Sequence, residues 1–200
     1  MANTDNPTGL TPIRHSNGAD YNGAFSEYYI PSTYATALYV GDPVIITGTS
    51  NTAGYKGNEP GTLPEINKAT AAGGSYMTGI IVGFEPLPND LSKTYNAAST
   101  ERIAYVADDP DLVFEIQEDS GGTVLDATDV GLNADLVYTH SGSTATGKSG
   151  AELDRSTINT TNTLQLKVRR LINRVDNALG DSAKWEVTIN LHTQRYLTGI

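Results

Sequence analysis

The sequence contains no cysteine. Disulfides, thiolate zinc sites, iron–sulfur clusters and a thiol nucleophile are therefore excluded. A chain without cysteine suits a reducing cytoplasm, or a particle assembled there. Long apolar runs are missing as well, since no stretch approaches the roughly 18 residues needed to span a bilayer. The opening residues, MANTDNPTGLTPIRHSNGAD, show no basic region followed by an apolar one. The expectation is a chain without a secretory signal and without a membrane partner. Charged residues are few, at 18%, and no segment carries the apolar stripe of an amphipathic helix of ordinary length. With nothing to supply crossover helices, an α/β fold is disfavoured. No internal repeat of fixed period is present.

What remains is 200 residues rich in Gly, Ser, Thr and Asn, with 11 Tyr against one Trp and three Phe. That length makes one domain, or a domain with an arm, able to bury about 70% of its unfolded surface. The composition suits strands and turns better than surface helices. Lys and Arg number 13 against 23 Asp and Glu, leaving a net charge of −10. An acidic chain repels the phosphate backbone, so nucleic acid is not an expected direct partner.

Residues 1–25 hold Pro7, Pro12, Gly9, Gly18 and Gly23 with isolated Leu10 and Ile13. They show neither strand nor helix period and read as an extended N-terminal arm, with residues 26–200 as a single β-rich domain. Strands are expected at residues 27–30 and 37–47, the latter interrupted by Gly41-Asp42-Pro43, which demands a bend or a sheet edge. Residues 48–74 read as a long loop. The nearly continuous apolar run 76–84 (YMTGIIVGF) predicts a strand buried on both faces. Further strands are expected at 103–107, at 112–118 and at 133–139.

Near the end, Leu164, Leu166 and Val168 alternate with Gln165, Lys167 and Arg169, and Trp185, Val187, Ile189 and Leu191 alternate with Glu186, Thr188, Asn190 and His192. One face of each pair of strands should be core and the other wet. The doublet Arg169-Arg170 reads as a bulge that resets the face before Leu171. About eight short strands without helices predict an all-β fold, a jelly roll or a related sandwich or barrel.

The sharpest motif is Gly142-Ser143-Thr144-Ala145-Thr146-Gly147-Lys148-Ser149, which fits G-x-x-x-x-G-K-[ST] letter for letter. Such a loop binds phosphates only where it opens a helix. Residues 150–157 lack the apolar stripe for one, so a surface loop is favoured and no nucleotide cofactor is expected. His15, His140 and His192 match no ligand spacing and read as exposed imidazoles. Asp108, Asp109 and Asp111 flank Pro110, but an EF-hand-like register from Asp108 or Asp109 meets Val113 or Phe114 where Gly is needed and Asp119 or Ser120 where Glu is needed. They read as a turn. No G-x-S-x-G elbow occurs, and pairs such as Glu115 and Asp119 are common in acidic β proteins. Lys167, Arg169, Arg170 and Arg174 form the one basic concentration, a solvated strand face or a contact for an acidic surface.

Asp5-Asn6-Pro7 with Arg14-His15, residues 35–44 (ATALYVGDPV), 108–117 (DDPDLVFEIQ) and 174–180 (RVDNALG) together resemble capsid decoration (cement) proteins of tailed bacteriophages. The resemblance runs through most of the chain in order, and none of these stretches is a catalytic signature. It implies a non-enzymatic, β-rich virion protein on the capsid exterior, assembled in the host cytoplasm. Its partners would be an HK97-like major capsid protein and further copies of itself, as a dimer or trimer. Extended arms and aromatic anchors suit such bridging. The candidate interface residues are Ile13, Arg14, Tyr21, Phe25, Tyr28, Tyr29 and Tyr34, the alternative for the aromatics being core packing of the first strand. A carbohydrate-binding virion or surface adhesin module, using Tyr-rich loops, is the rival function.

Overall fold

A computed structural model describes residues 3–195. Among them are eleven strands and one 3-10 turn, Thr193–Arg195. The chain is all-β, built as a closed barrel beside a six-stranded sheet.

The barrel is formed by β2 (Ser26–Ile30), β3 (Pro43–Ser50), β4 (Pro64–Lys68), β5 (Gly79–Phe84) and β6 (Arg102–Ala107), in the order β2-β4-β3-β5-β6. β6 pairs antiparallel with β2 and closes the ring, while β2 and β4 run parallel. Closure removes the open edges that a five-stranded sheet would otherwise expose. Pro43 opens β3, a position where the missing N–H costs no interior ladder bond.

The second sheet runs β1-β7-β11-β10-β8-β9. Its strands are β1 (Thr11–His15), β7 (Leu112–Gln117), β8 (Asn133–Val137), β9 (Glu152–Asn159), β10 (Leu166–Leu171) and β11 (Lys184–Ile189). Every neighbouring pair is antiparallel. The sheet curls until β9 returns to the end of β7, where Glu118 and Leu153 form a parallel bridge and Asp119 N–H donates to the Leu153 carbonyl at 3.0 Å.

Two apolar clusters result, and β5 and β6 serve both. Ile81 and Val106 face the barrel interior with Tyr28, Ile30, Leu38, Val44, Ile66 and Ala104. Their neighbours Ile80 and Ala107 face the other cluster, built on Trp185, Phe114, Ile116, Val187 and Leu166. Successive strand residues point to opposite faces, so a strand between two cores must be apolar throughout. This is why Ile80-Ile81 reads as an uninterrupted run, and both residues are fully buried. Each large side chain so buried contributes about 1.5–3 kcal/mol.

The N-terminal segment differs from the expected extended arm. Leu10 lies in the core at 1% exposure, β1 pairs with β7, and residues 14–20 turn back as a small hairpin with Gly18 at φ +92°. Asn3 bonds the 178–181 turn through Ala178 N and the Ala178 and Asp181 carbonyls. Apolar residues at Leu10 and Ile13 suffice for an edge strand, which needs only one covered face. The 48–74 stretch likewise contains β4, whose single deeply buried residue is Ile66. The bulge at Arg169–Arg170 is present as a register shift in the β10–β11 pairing.

His192 is a second correction. It is 1% exposed instead of wet, at a position where the backbone forms a parallel bridge with Met77. Burial pushes its pKa down. Glu186 is also covered, clamped between Arg14 and Arg170 at 2.6 and 2.8 Å.

Candidate functional site

Strand parity decides which aromatics reach solvent. On β2, Tyr28 and Ile30 point into the barrel, so Glu27 and Tyr29 point out, with Phe25 just ahead of the strand. Opposite them β6 presents Tyr105, paired directly with Glu27, and Ile103, paired with Tyr29. The Phe25 and Tyr105 rings sit 4.4 Å apart, and Tyr29 meets Tyr55 edge to face at 5.6 Å. The result is an aromatic face on the outside of the barrel. Phe25, 48% exposed, is its most accessible ring.

Carboxylates rim this face. The Tyr29 hydroxyl donates to Glu101, and Tyr55 Oη donates to the Glu101 carbonyl at 3.2 Å. Glu65 stands beside Tyr29 on β4, and Lys56 Nζ holds Glu85 at 2.6 Å. Burial, with Glu101 next, pushes the Tyr29 phenol well above its usual range; burial, with Glu85 and Glu27, raises Tyr105. Four acids, Glu27, Glu65, Glu85 and Glu101, against the two cations Lys56 and Arg102 leave the face negative. Arg102, 2% exposed, supports the rim from beneath by donating to the carbonyls of Glu85, Tyr95 and Lys93.

The seven interface candidates fall into separate places. Phe25 and Tyr29 lie on this outer face. Tyr28 is 6% exposed inside the barrel, its hydroxyl donating to Asp108 at 2.9 Å. Tyr34 packs on the same core and accepts Lys68 N–H at 2.9 Å. Core packing thus takes up these two. Tyr21 packs against the sheet core with its hydroxyl on the Ala24 carbonyl. Ile13 sits at the β1 bulge, and Arg14 reaches across β7 to Glu186. Tyr55 and Tyr105 complete the face although the sequence reading passed over them. The signal for Tyr105 was there, since it alternates with buried Ala104 and Val106; Tyr55 lies in a loop with no such pattern.

Elsewhere, buried polar groups join distant segments. Asp42, fully buried, accepts from Tyr39 N–H at 2.8 Å and the Ser149 hydroxyl at 2.6 Å, and pairs with Lys68 Nζ at 2.9 Å. Beside it the chain crosses itself at Gly9 and Gly41, where Leu10 N–H donates to the Gly41 carbonyl at 3.0 Å. A second cluster centres on Glu118, which accepts Trp185 Nε1–H at 3.0 Å and lies 3.5 Å from Arg155, while Arg155 also holds Asp181 at 2.7 Å. Burial outweighs these partners and pushes the Glu118 carboxyl up to about 7.

The Gly142–Ser149 motif forms a turn, with Gly147 N–H on the Ser143 carbonyl and Val40 paired to Lys148. The chain then enters β9, a strand and not a helix, so no helix N-terminus faces the loop. Asp5, His140 and Glu152, which no sequence spacing connects, come together as groups able to hold a metal ion. Among the described residues no helix is long and apolar enough to cross a membrane. No protein-family model, curated protein or solved structure matches this chain.

Proposed function

We propose that this chain is a non-enzymatic structural protein of a bacteriophage virion, bound to the outer surface of an HK97-like capsid and bridging its subunits. The observation that carries the reading is the outward aromatic face of Phe25, Tyr105, Tyr29 and Tyr55 within its rim of Glu27, Glu65, Glu85 and Glu101. Rigid aromatic rings supply contact area at low entropic cost, and clustered aromatics are where binding energy concentrates. A negative rim selects a partner bearing Arg and Lys, which stack on Tyr and pair with carboxylates. Repetition of one modest contact over a symmetric shell, in a dimer or trimer, multiplies its effect.

Co-sedimentation with expanded shells of the corresponding major capsid protein tests this. Saturable binding at a simple ratio to capsid subunits is expected, weakening as salt rises. Phe25→Ser with Tyr105→Thr should weaken it at least tenfold while leaving the melting temperature nearly unchanged. Truncation of residues 2–24 is a poorer probe, because it removes Leu10 from the core and β1 from the sheet. Absence of binding at high protein concentration and low salt would refute the reading. The same rings would then be tested on a glycan array, since exposed Tyr and Phe beside carboxylate acceptors also suit a sugar ring.

A further inference from the structure

Away from the aromatic face, three side chains converge from separate parts of the chain. Asp5 comes from the N-terminal segment, His140 from the turn after β8, and Glu152 from the first residue of β9. A donor atom from each lies within 4.8 Å of the other two. His140 Nδ1 is 2.9 Å from Glu152 Oε2, and its Nε2 is 3.7 Å from Asp5 Oδ2. These two contacts use different ring nitrogens, and only one can ligate a given ion. Donors sharing a first-row metal at bonds of about 2.1 Å sit roughly 3–4 Å apart, so the one-atom-per-residue set, now within 4.8 Å, closes on an ion by side-chain rotation.

The surroundings hold these groups in place. Gln117, 3% exposed, donates from Nε2 to Asp5 Oδ1 at 2.9 Å and lies 3.4 Å from Glu152 Oε1, while its own Oε1 accepts Asn6 N–H at 3.1 Å. The Thr139 hydroxyl donates to Glu152. Outer hydrogen bonds of this kind orient the carboxylate and imidazole ligands of metal sites. Glu152 is 1% exposed, whereas the side chains of His140 and Asp5 are 43% and 48% exposed. One wall is therefore rigid and the other open to an entering ion and its waters.

We propose that Asp5, His140 and Glu152 form a binding site for a divalent transition metal, Zn2+ being the best fit, which pins the N-terminal segment to the β8–β9 connection. Two carboxylates balance the charge of the ion. An imidazole among the donors selects Zn2+, Co2+ or Ni2+ over Mg2+ and Ca2+, which take oxygen ligands. Three protein ligands leave a position for water.

Isothermal titration of the metal-stripped full chain with ZnCl2 tests the site. One saturable site per chain is expected, with the melting temperature raised by about 5–10 °C at a hundredfold excess over Kd. MgCl2 at the same concentration should give no shift. Asp5→Asn and His140→Ala should each weaken zinc binding at least tenfold, and His140→Ala should abolish the visible absorption of the Co2+ complex. His15→Ala is the control, because His15 also faces a carboxylate, Asp109 at 3.0 Å, outside the site. No saturable zinc binding, unchanged binding in the Asp5 and His140 variants, or equal loss in His15→Ala would overturn the proposal.

Discussion

Asp42 offers the most demanding test of how the barrel is tied to the rest of the molecule. Its carboxylate is fully buried and meets three groups from three segments, Tyr39 N–H, the Ser149 hydroxyl and Lys68 Nζ. Asp42→Ala removes the counter-charge of an ammonium whose side chain is only 20% exposed. Breaking a buried pair from one side costs about 3–5 kcal/mol. Lys68 retains water and the Tyr138 ring, 4.3 Å from Nζ, which pulls the figure to the lower end. The stranded Tyr39 N–H and Ser149 hydroxyl push it back up. The expected loss is about 3–4 kcal/mol, or roughly 10 °C in melting temperature for a chain of this size. Urea unfolding at pH 7 reads it, with the m-value unchanged. In a double-mutant cycle, Asp42→Ala and Lys68→Met should couple by at least about 1 kcal/mol. A loss below about 1 kcal/mol, or additive effects, would refute the hub.

Glu118 predicts a pH dependence with a definite sign. Its carboxyl titrates near 4.5 when unfolded and about 7 when folded. The folded state therefore binds the extra proton, so stability is full below the lower value and falls as pH rises through the upper one, by on the order of 3 kcal/mol. Glu118→Gln should flatten that part of the profile in urea titrations between pH 4.5 and 8; an unchanged slope would contradict the assignment. At the chain crossing, a Cβ on Gly9, at φ +70°, would sit 2.3 Å from the Gly41 carbonyl oxygen, whereas one on Gly18, at φ +92°, meets nothing. Gly9→Ala should thus cost at least about 2 kcal/mol and Gly18→Ala about 1 kcal/mol in thermal melts. Lys148 sits in a turn ahead of a strand, so ATP with magnesium should leave the melting temperature unchanged, and a shift lost in Lys148→Ala would reverse that reading.

The strands that were legible are those whose apolar residues obey a simple period. β7, β10 and β11 show alternation because one face meets the Trp185 and Phe114 core, and β5 shows a continuous run because it lies between two cores. β1, β4 and β9 were not legible, for different reasons. β1 and β4 bury few large side chains, so their pattern is too short to see. β9 buries Glu152 and Arg155, whose partners Thr139, Gln117, Glu118 and Asp181 all lie on other parts of the chain. A polar residue made buriable by a distant partner carries no local mark. His192 was misjudged because its burial follows from pairing of the 191–193 backbone with distant Met77, which alternation along the strand does not show.

By itself the sequence determined the class of structure: no cysteine chemistry, an acidic chain, short strands joined by turns, and a Walker-like loop without the helix it requires. These follow from composition and from the parity of side chains along a strand, which are local properties. Only the tertiary structure decided that the strands divide into a closed barrel and a curled sheet, and that Phe25, Tyr29, Tyr55 and Tyr105 share one outer face. It also decided that Asp5 meets Gln117 across 112 positions, beside His140 and Glu152. Periodicity fixes which side of a strand a residue occupies; pairing between distant strands fixes what stands next to it.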